Sequence, residues 1–267
     1  MQHPMVHRLT RIKQLGLTCY VYPGAQHTRF QHSLGALFLM TEAIKTLQNK
    51  GNDITQEEAE AVYAAIFLHD VGHGPFSHTL EDFFYKNISH EDIGIAIIEK
   101  LNEEFNGKLS LTIEILKNTY HKKFLHELVS GQLDMDRLDY LRRDSFFTGV
   151  SEGNIGSARI IKMLNIKDGK LVVEAKGIYS IENFLMSRRL MYWQVYLHKT
   201  AFVNSMIHSV ISSFVGAVIS LALISFGIGN NTDMILIGVI MLLIPGLAFG
   251  NAVRDLLFGD TVSGIIQ

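Results

Sequence analysis

Apolar residues recur every three to four positions through most of the first two hundred residues, the pattern of helices that bury one face. It predicts helices over residues 6–15, 34–47, 56–68, 91–102, 109–118, 125–143 and 181–199. Gly16 closes the first, residues 18–22 read as extended, and Pro23-Gly24 reads as a turn. Thr55, with Glu58 three residues on, forms a capping box that starts the helix over 56–68. Between residues 165 and 176, apolar runs flank Lys167-Asp168-Gly169-Lys170, a glycine-containing turn that predicts a β-hairpin.

After residue 200 the pattern changes. Residues 200–232 carry no charged side chain, and neither do residues 234–253. Each run is long enough to cross about 30 Å of hydrocarbon as a helix. Arg188, Arg189 and Lys199 stand before the pair and Arg254 after it, with no basic residue in the intervening turn, so both outer ends are expected on the cytoplasmic side. The expected architecture is all-α with a small β-hairpin over residues 1–200, followed by an apolar, transmembrane helical hairpin over 201–267. Membrane association through residues 203–250 follows from it; a buried soluble helical pair is the alternative.

Composition narrows the class. Apolar residues make up 48% and charged ones 19%, and the formal net charge of −2 gives no global basic field for nucleic acid. The single cysteine, Cys19, excludes an internal disulfide and reads as a small buried hydrophobe. The start, Met-Gln-His-Pro-Met-Val-His, lacks a secretory pattern, so a cytoplasmic location is expected for the part before residue 200.

The chemistry concentrates in His69-Asp70-Val71-Gly72-His73-Gly74-Pro75-Phe76-Ser77-His78, three histidines and a carboxylate in ten residues. Imidazole nitrogen and carboxylate oxygen are ligands for a borderline divalent cation, and His69 with Asp70 needs further ligands from elsewhere. His32, at the start of a helical run, and Asp136 downstream are candidates. Asp136, Tyr140 and Asp144 follow i, i+4, i+8 spacing and share one helix face. Asp134 and Asp139 fall off that face and read as structural salt bridges.

The words RIKQLGLTCYVYPGAQHTRFQHSLG, LHDVGHGPFSH, SHED, DMDRLDYLRRD and YLHK, in that order, resemble the HD-domain deoxynucleoside triphosphate triphosphohydrolases over roughly residues 2–200. The resemblance implies an HD-type fold and one divalent metal (Mn, Fe, Zn, Ni or Mg) on His32, His69, Asp70 and Asp136. It implies a triphosphate facing His73, His78 and His90, with His78 as the proton donor to the leaving oxygen. Phosphate contacts are implied for Arg29, Arg137 and Arg188, and sugar contacts for Gln14, Tyr140, Asp144 and Tyr196; Leu15 is either pocket lining or core. The activity implied is hydrolysis of a deoxynucleoside triphosphate to the deoxynucleoside and inorganic triphosphate. The alternatives are another nucleotide phosphoester, or an inactive membrane-associated fragment.

Family members assemble as oligomers, so a homo-oligomer is a further expectation. The family begins with an N-terminal hairpin that has no counterpart here, so residues 1–200 are read as N-terminally truncated. At the positions that read an activating nucleotide stand Gln2, His7 and Thr10, none of them the family residue. His3, His7, His121 and His126 read as surface or packing residues, and Met191, Tyr192 and Trp193 as core. PGLAFGNAVRDLLFGDTVSGI, within residues 203–267, resembles the membrane domain of the threonine/serine exporters, with Arg254, Asp255 and Asp260 in its polar motif. That stretch spans only the opening helices of such a domain, and transport by this chain is not expected.

Overall fold

The computed structural model describes residues 3–75 and 89–197. Nine helices, short 3-10 turns and one hairpin make up the described part: α1 (Pro4–His7), α2 (Arg29–Asn49), α3 (Gln56–Leu68), α4 (His90–Glu104), α5 (Ser110–Leu116), α6 (Lys123–Val129), α7 (Met135–Thr148), α8 (Ser157–Met163), β1 (Leu164–Lys167), β2 (Lys170–Val173) and α9 (Ile178–Met191). The mostly helical fold with a two-stranded sheet agrees with the expectation. His78 and the stretch expected to form an apolar hairpin lie outside the described residues. Among the described residues no helix is long and apolar enough to cross a membrane.

The long helix α2 is the axis of the core. Its face Ala36, Met40, Ala43, Ile44 and Leu47 is buried against Val62, Ala65 and Ile66 of α3 and against Leu138 and Leu141 of α7. Capping boxes fix where the helices begin: Thr28 with Gln31 on α2, Thr55 with Glu58 on α3, and Ser89 with Asp92 on α4. The hairpin pairs Leu164 with Val173 and Lys167 with Lys170. It turns on Asp168 and Gly169, both with positive φ (53° and 73°), the conformation a two-residue turn requires.

Several expected elements change. The first helix is short, because Ile12 is extended and Lys13 pairs with Thr28 in an isolated antiparallel bridge. Residues Gly16–Tyr20 form a 3-10 turn in place of a strand, after Gly16 reverses the chain at φ 55°. The run over 125–143 breaks into α6 and α7, since the Asp134 side chain accepts from both Gly131 N and Arg137 N and so starts a new helix. The last helix begins at Ile178 and widens into a π-turn, Tyr192–Tyr196. Tyr192 and Trp193 are 40% and 57% exposed, so only Met191 of that trio is core. In the basic stretch 117–123, Lys122 is tied down to Glu58 and Asp53.

Candidate metal centre

Three elements deliver the ligands. His32 projects from the first turn of α2 and is fully buried; Asp136 sits in the first turn of α7. His69 and Asp70 lie on a 3-10 turn, His69–Gly72, that follows α3 directly. Gly72 is required there: a Cβ would stand 2.0 Å from the His90 carbonyl oxygen and 2.6 Å from Gly94 N, so α4 could not approach.

The ligand atoms converge. His32 Nε2 lies 2.9 Å from Asp136 Oδ1 and 3.3 Å from His69 Nε2. His69 Nε2 lies 3.4 Å from both Asp136 Oδ1 and Asp70 Oδ1. Ligands about 2.1 Å from one ion, at angles between right and tetrahedral, lie about 3.0–3.4 Å apart, so this spacing suits a single divalent ion. His32, His69 and Asp136 form the tightest set, with ligand atoms within 4.8 Å of one another.

The far nitrogens fix the tautomers. His32 Nδ1 donates to Asp139 Oδ2 at 2.8 Å, and His69 Nδ1 donates to the Ile66 carbonyl at 2.5 Å. Both Nε2 atoms then turn their lone pairs into the same space. Two lone pairs at that separation repel unless a proton or a metal ion lies between them. Burial alone would lower the His32 pKa, but its bonds to Asp136 and Asp139 raise it to about 10. Burial pushes Asp136 up, and the two imidazoles more than reverse it. Burial likewise opposes ionisation of Asp70, which Arg29 and its histidine neighbours hold well below the usual carboxylate range. The cluster demands positive charge.

The other expected residues divide into two groups. Arg29 is buried, its NH1 on Asp70 Oδ2 at 2.7 Å, so it neutralises a carboxylate of the centre. His73 is buried beside the centre, its Nε2 3.4 Å from Asp70 Oδ1 and its ring stacked at 4.0 Å on His90. Arg137 turns back onto Asp134 at 2.8 Å. At the far end of the α7 face, Asp144 Oδ2 accepts from the Tyr196 hydroxyl at 2.7 Å, and Tyr196 meets Tyr140 edge to face at 6.1 Å. Arg188 stands over Tyr192, its Nε buried with no partner among the described residues. Gln14 Oε1 is likewise buried with no partner among the described residues.

Three further residues support the site, two at the metal centre and one at the Asp144 end of the α7 face. Asp139 does form its expected ion pair, with Arg143, yet the same carboxylate orients His32. Its position three residues after Asp136, toward α2, was the available signal. Arg8 donates to the carbonyls of His73, at 2.8 Å, and of Val71, fastening the turn that bears His69 and Asp70. His27 bonds Asp144. Nothing in the spacing marks Arg8 or His27, because both contacts join segments distant in the chain.

The helical core gathers His, His-Asp and Asp at one point, a donor set that suits one divalent ion. Residues 29–144 match the HD domain model, and residues 172–267 match the model of the putative threonine/serine exporter, a match that begins inside β2. The chain belongs to the HD-domain phosphohydrolase family, whose members bind divalent metals. A crystal structure of a phosphohydrolase from Bacteroides thetaiotaomicron is 63% identical at a TM-score of 0.76, over 86% of this chain and 56% of that one. The uncharacterized protein YwfO of Bacillus subtilis is 38% identical over 72% of this chain and 45% of its own length. The deoxynucleoside triphosphate triphosphohydrolase SAMHD1 homolog of Dictyostelium discoideum is 30% identical over 72% of this chain and 41% of its own length. The chain spans about half the length of these relatives.

Proposed function

We propose that the chain hydrolyses deoxynucleoside triphosphates to the deoxynucleoside and inorganic triphosphate. Residues 1–200 form the catalytic domain in this reading, and residues 201–267 a separate apolar hairpin that associates with a membrane. The observation that carries it is the single face of α7, which has Asp136 at the metal ligands and, two turns on, Asp144 bonded to Tyr196 beside Tyr140. That layout suits a phosphate at one end and a sugar at the other, and the SAMHD1 homolog supports the substrate class.

His32, His69, Asp70 and Asp136 hold one divalent ion, of Mn, Fe, Zn, Ni or Mg. Bound there, the ion supplies Lewis acidity to phosphoryl chemistry. Arg29, fixed by Asp70, brings positive charge beside the α-phosphate, and Arg137 and Arg188 bring it to the chain of phosphates, where positioning and neutralisation do most of the catalysis. His73 and His90 line the approach. The oxygen of a water joins the α-phosphorus, its released proton passing to solvent, as the bond to the 5′-oxygen breaks and His78 gives the leaving 5′-oxygen its proton. Gln14, Tyr140, Asp144 and Tyr196 hold the sugar.

Purified protein with each deoxynucleoside triphosphate and Mn²⁺ or Mg²⁺, resolved by ion exchange with Asp70→Ala as control, tests this. Inorganic triphosphate and deoxynucleoside, absent from the control, are expected. Release of orthophosphate or pyrophosphate instead would move the assignment to another phosphoester.

A further inference from the structure

The side chain of His27 is fully buried in the segment before α2, and none of the steps above uses it. Its Nε2 lies 2.7 Å from Asp144 Oδ1, while its Nδ1 is buried with no partner among the described residues. The ring stacks on Phe147 at 4.6 Å and 18°. Gly24 lets the preceding turn close on the same residue, since a Cβ there would lie 2.4 Å from the Phe147 carbonyl oxygen. The His27 carbonyl accepts from Gln14 N at 3.0 Å. The imidazole is thus held by stacking and by its backbone, with one nitrogen spent on Asp144 and the other on no described residue. A buried nitrogen without a partner costs free energy that packing does not require, so the gain sits at the Asp144 contact.

We propose that His27 is a positioning residue for sugar selection: it fixes one oxygen of Asp144 so that the other holds the Tyr196 hydroxyl against the sugar. The inference rests on the deoxynucleotide reading. A carboxylate bonded at both oxygens has one orientation. Removing the donor at Oδ1 leaves a buried charge short of a partner; the carboxylate turns to recover one, and Tyr196 moves with it. The bond and the ring stacking that His27 makes go to Asp144 and Phe147, not to a metal ligand, so the loss falls on selection and spares the metal.

The test compares kcat/KM for deoxynucleoside triphosphates and the matching ribonucleotides, with saturating Mn²⁺, in wild type, His27→Leu and His27→Gln. Glutamine can place an amide N–H near the Nε2 position; leucine cannot. His27→Leu should reduce the preference for deoxynucleotide roughly tenfold, the scale of one hydrogen bond to a charged group. It should keep cooperative melting and Mn²⁺ affinity, and His27→Gln should recover most of the preference. An unchanged preference in His27→Leu, or equal loss in both variants, overturns the inference and leaves the substrate reading intact. Absence of deoxynucleotide turnover in wild type overturns both. If His27→Leu does not fold, His27→Asn, whose amide is too short to reach, takes its place under the same criteria.

Discussion

Replacing Asp139 with asparagine removes a charge and little volume from the support of the metal centre. Asp139 Oδ2 accepts from His32 Nδ1 at 2.8 Å and from Arg143 Nε at 2.7 Å, and Oδ1 accepts from Arg143 NH2 at 2.9 Å. Asparagine has one acceptor oxygen, so either His32 or Arg143 must face an NH₂ group. A hydrogen bond to a charged group is worth about 1.5–3 kcal/mol, and groups that orient metal-bound histidines contribute about 10–100-fold to affinity. Asp139→Asn should therefore raise the Mn²⁺ dissociation constant roughly 10–100-fold, measured by calorimetric titration of metal-free protein, with the helical circular dichroism unchanged. Arg143→Met, which leaves the carboxylate in place, should have a smaller effect. Wild-type affinity in a folded Asp139→Asn protein would refute the idea that this carboxylate sets the ligand nitrogen of His32.

Other outcomes follow from the same geometry. Asp136→Ala should abolish metal binding and turnover together, whereas Tyr196→Ala should keep the metal and chiefly weaken substrate selection; metal retained by Asp136→Ala removes that ligand from the set. Gly72→Ala should lower the melting temperature and turnover, because the added Cβ would stand 2.0 Å from the His90 carbonyl oxygen; an active variant of unchanged stability would contradict the close approach of α4. Burial pushes the Glu58 carboxyl up, but bonds from Thr55 N, Lys122 and Tyr120 bring it below its ordinary value. A depressed folded pKa contributes stability that is present above about pH 4.5 and lost as pH falls through the folded value. Glu58→Gln should accordingly destabilise the protein at neutral pH and flatten the acid limb of its stability profile, read by urea denaturation between pH 3 and 7.

What could be read from the sequence was local. Thr55 and Glu58 announce the start of α3 through side chains three residues apart, and the Asp168-Gly169 turn announces the hairpin, since both devices need only neighbours. Asp136, Tyr140 and Asp144 could be put on one face by counting. The pairing of Arg29 with Asp70 could not, because it spans 41 residues; in the sequence that arginine reads as a phosphate ligand alone. Likewise the Lys13–Thr28 bridge ends the first helix from outside it, and no helical pattern within residues 6–15 could register that. Tyr192 and Trp193 look like core by composition, but the π-turn shifts the helix phase and turns them outward.

His32, His69 and Asp136 come from three segments that no covalent bond holds near one another. An ion seated among them acts as a removable cross-link, closing long loops in the way a disulfide does but without an oxidant. Such a link stabilises the folded chain by RT ln(1 + [metal]/Kd), about 2.7 kcal/mol at a hundredfold excess over Kd. A chain cross-linked in this way has its folded lifetime coupled to the supply of the ion.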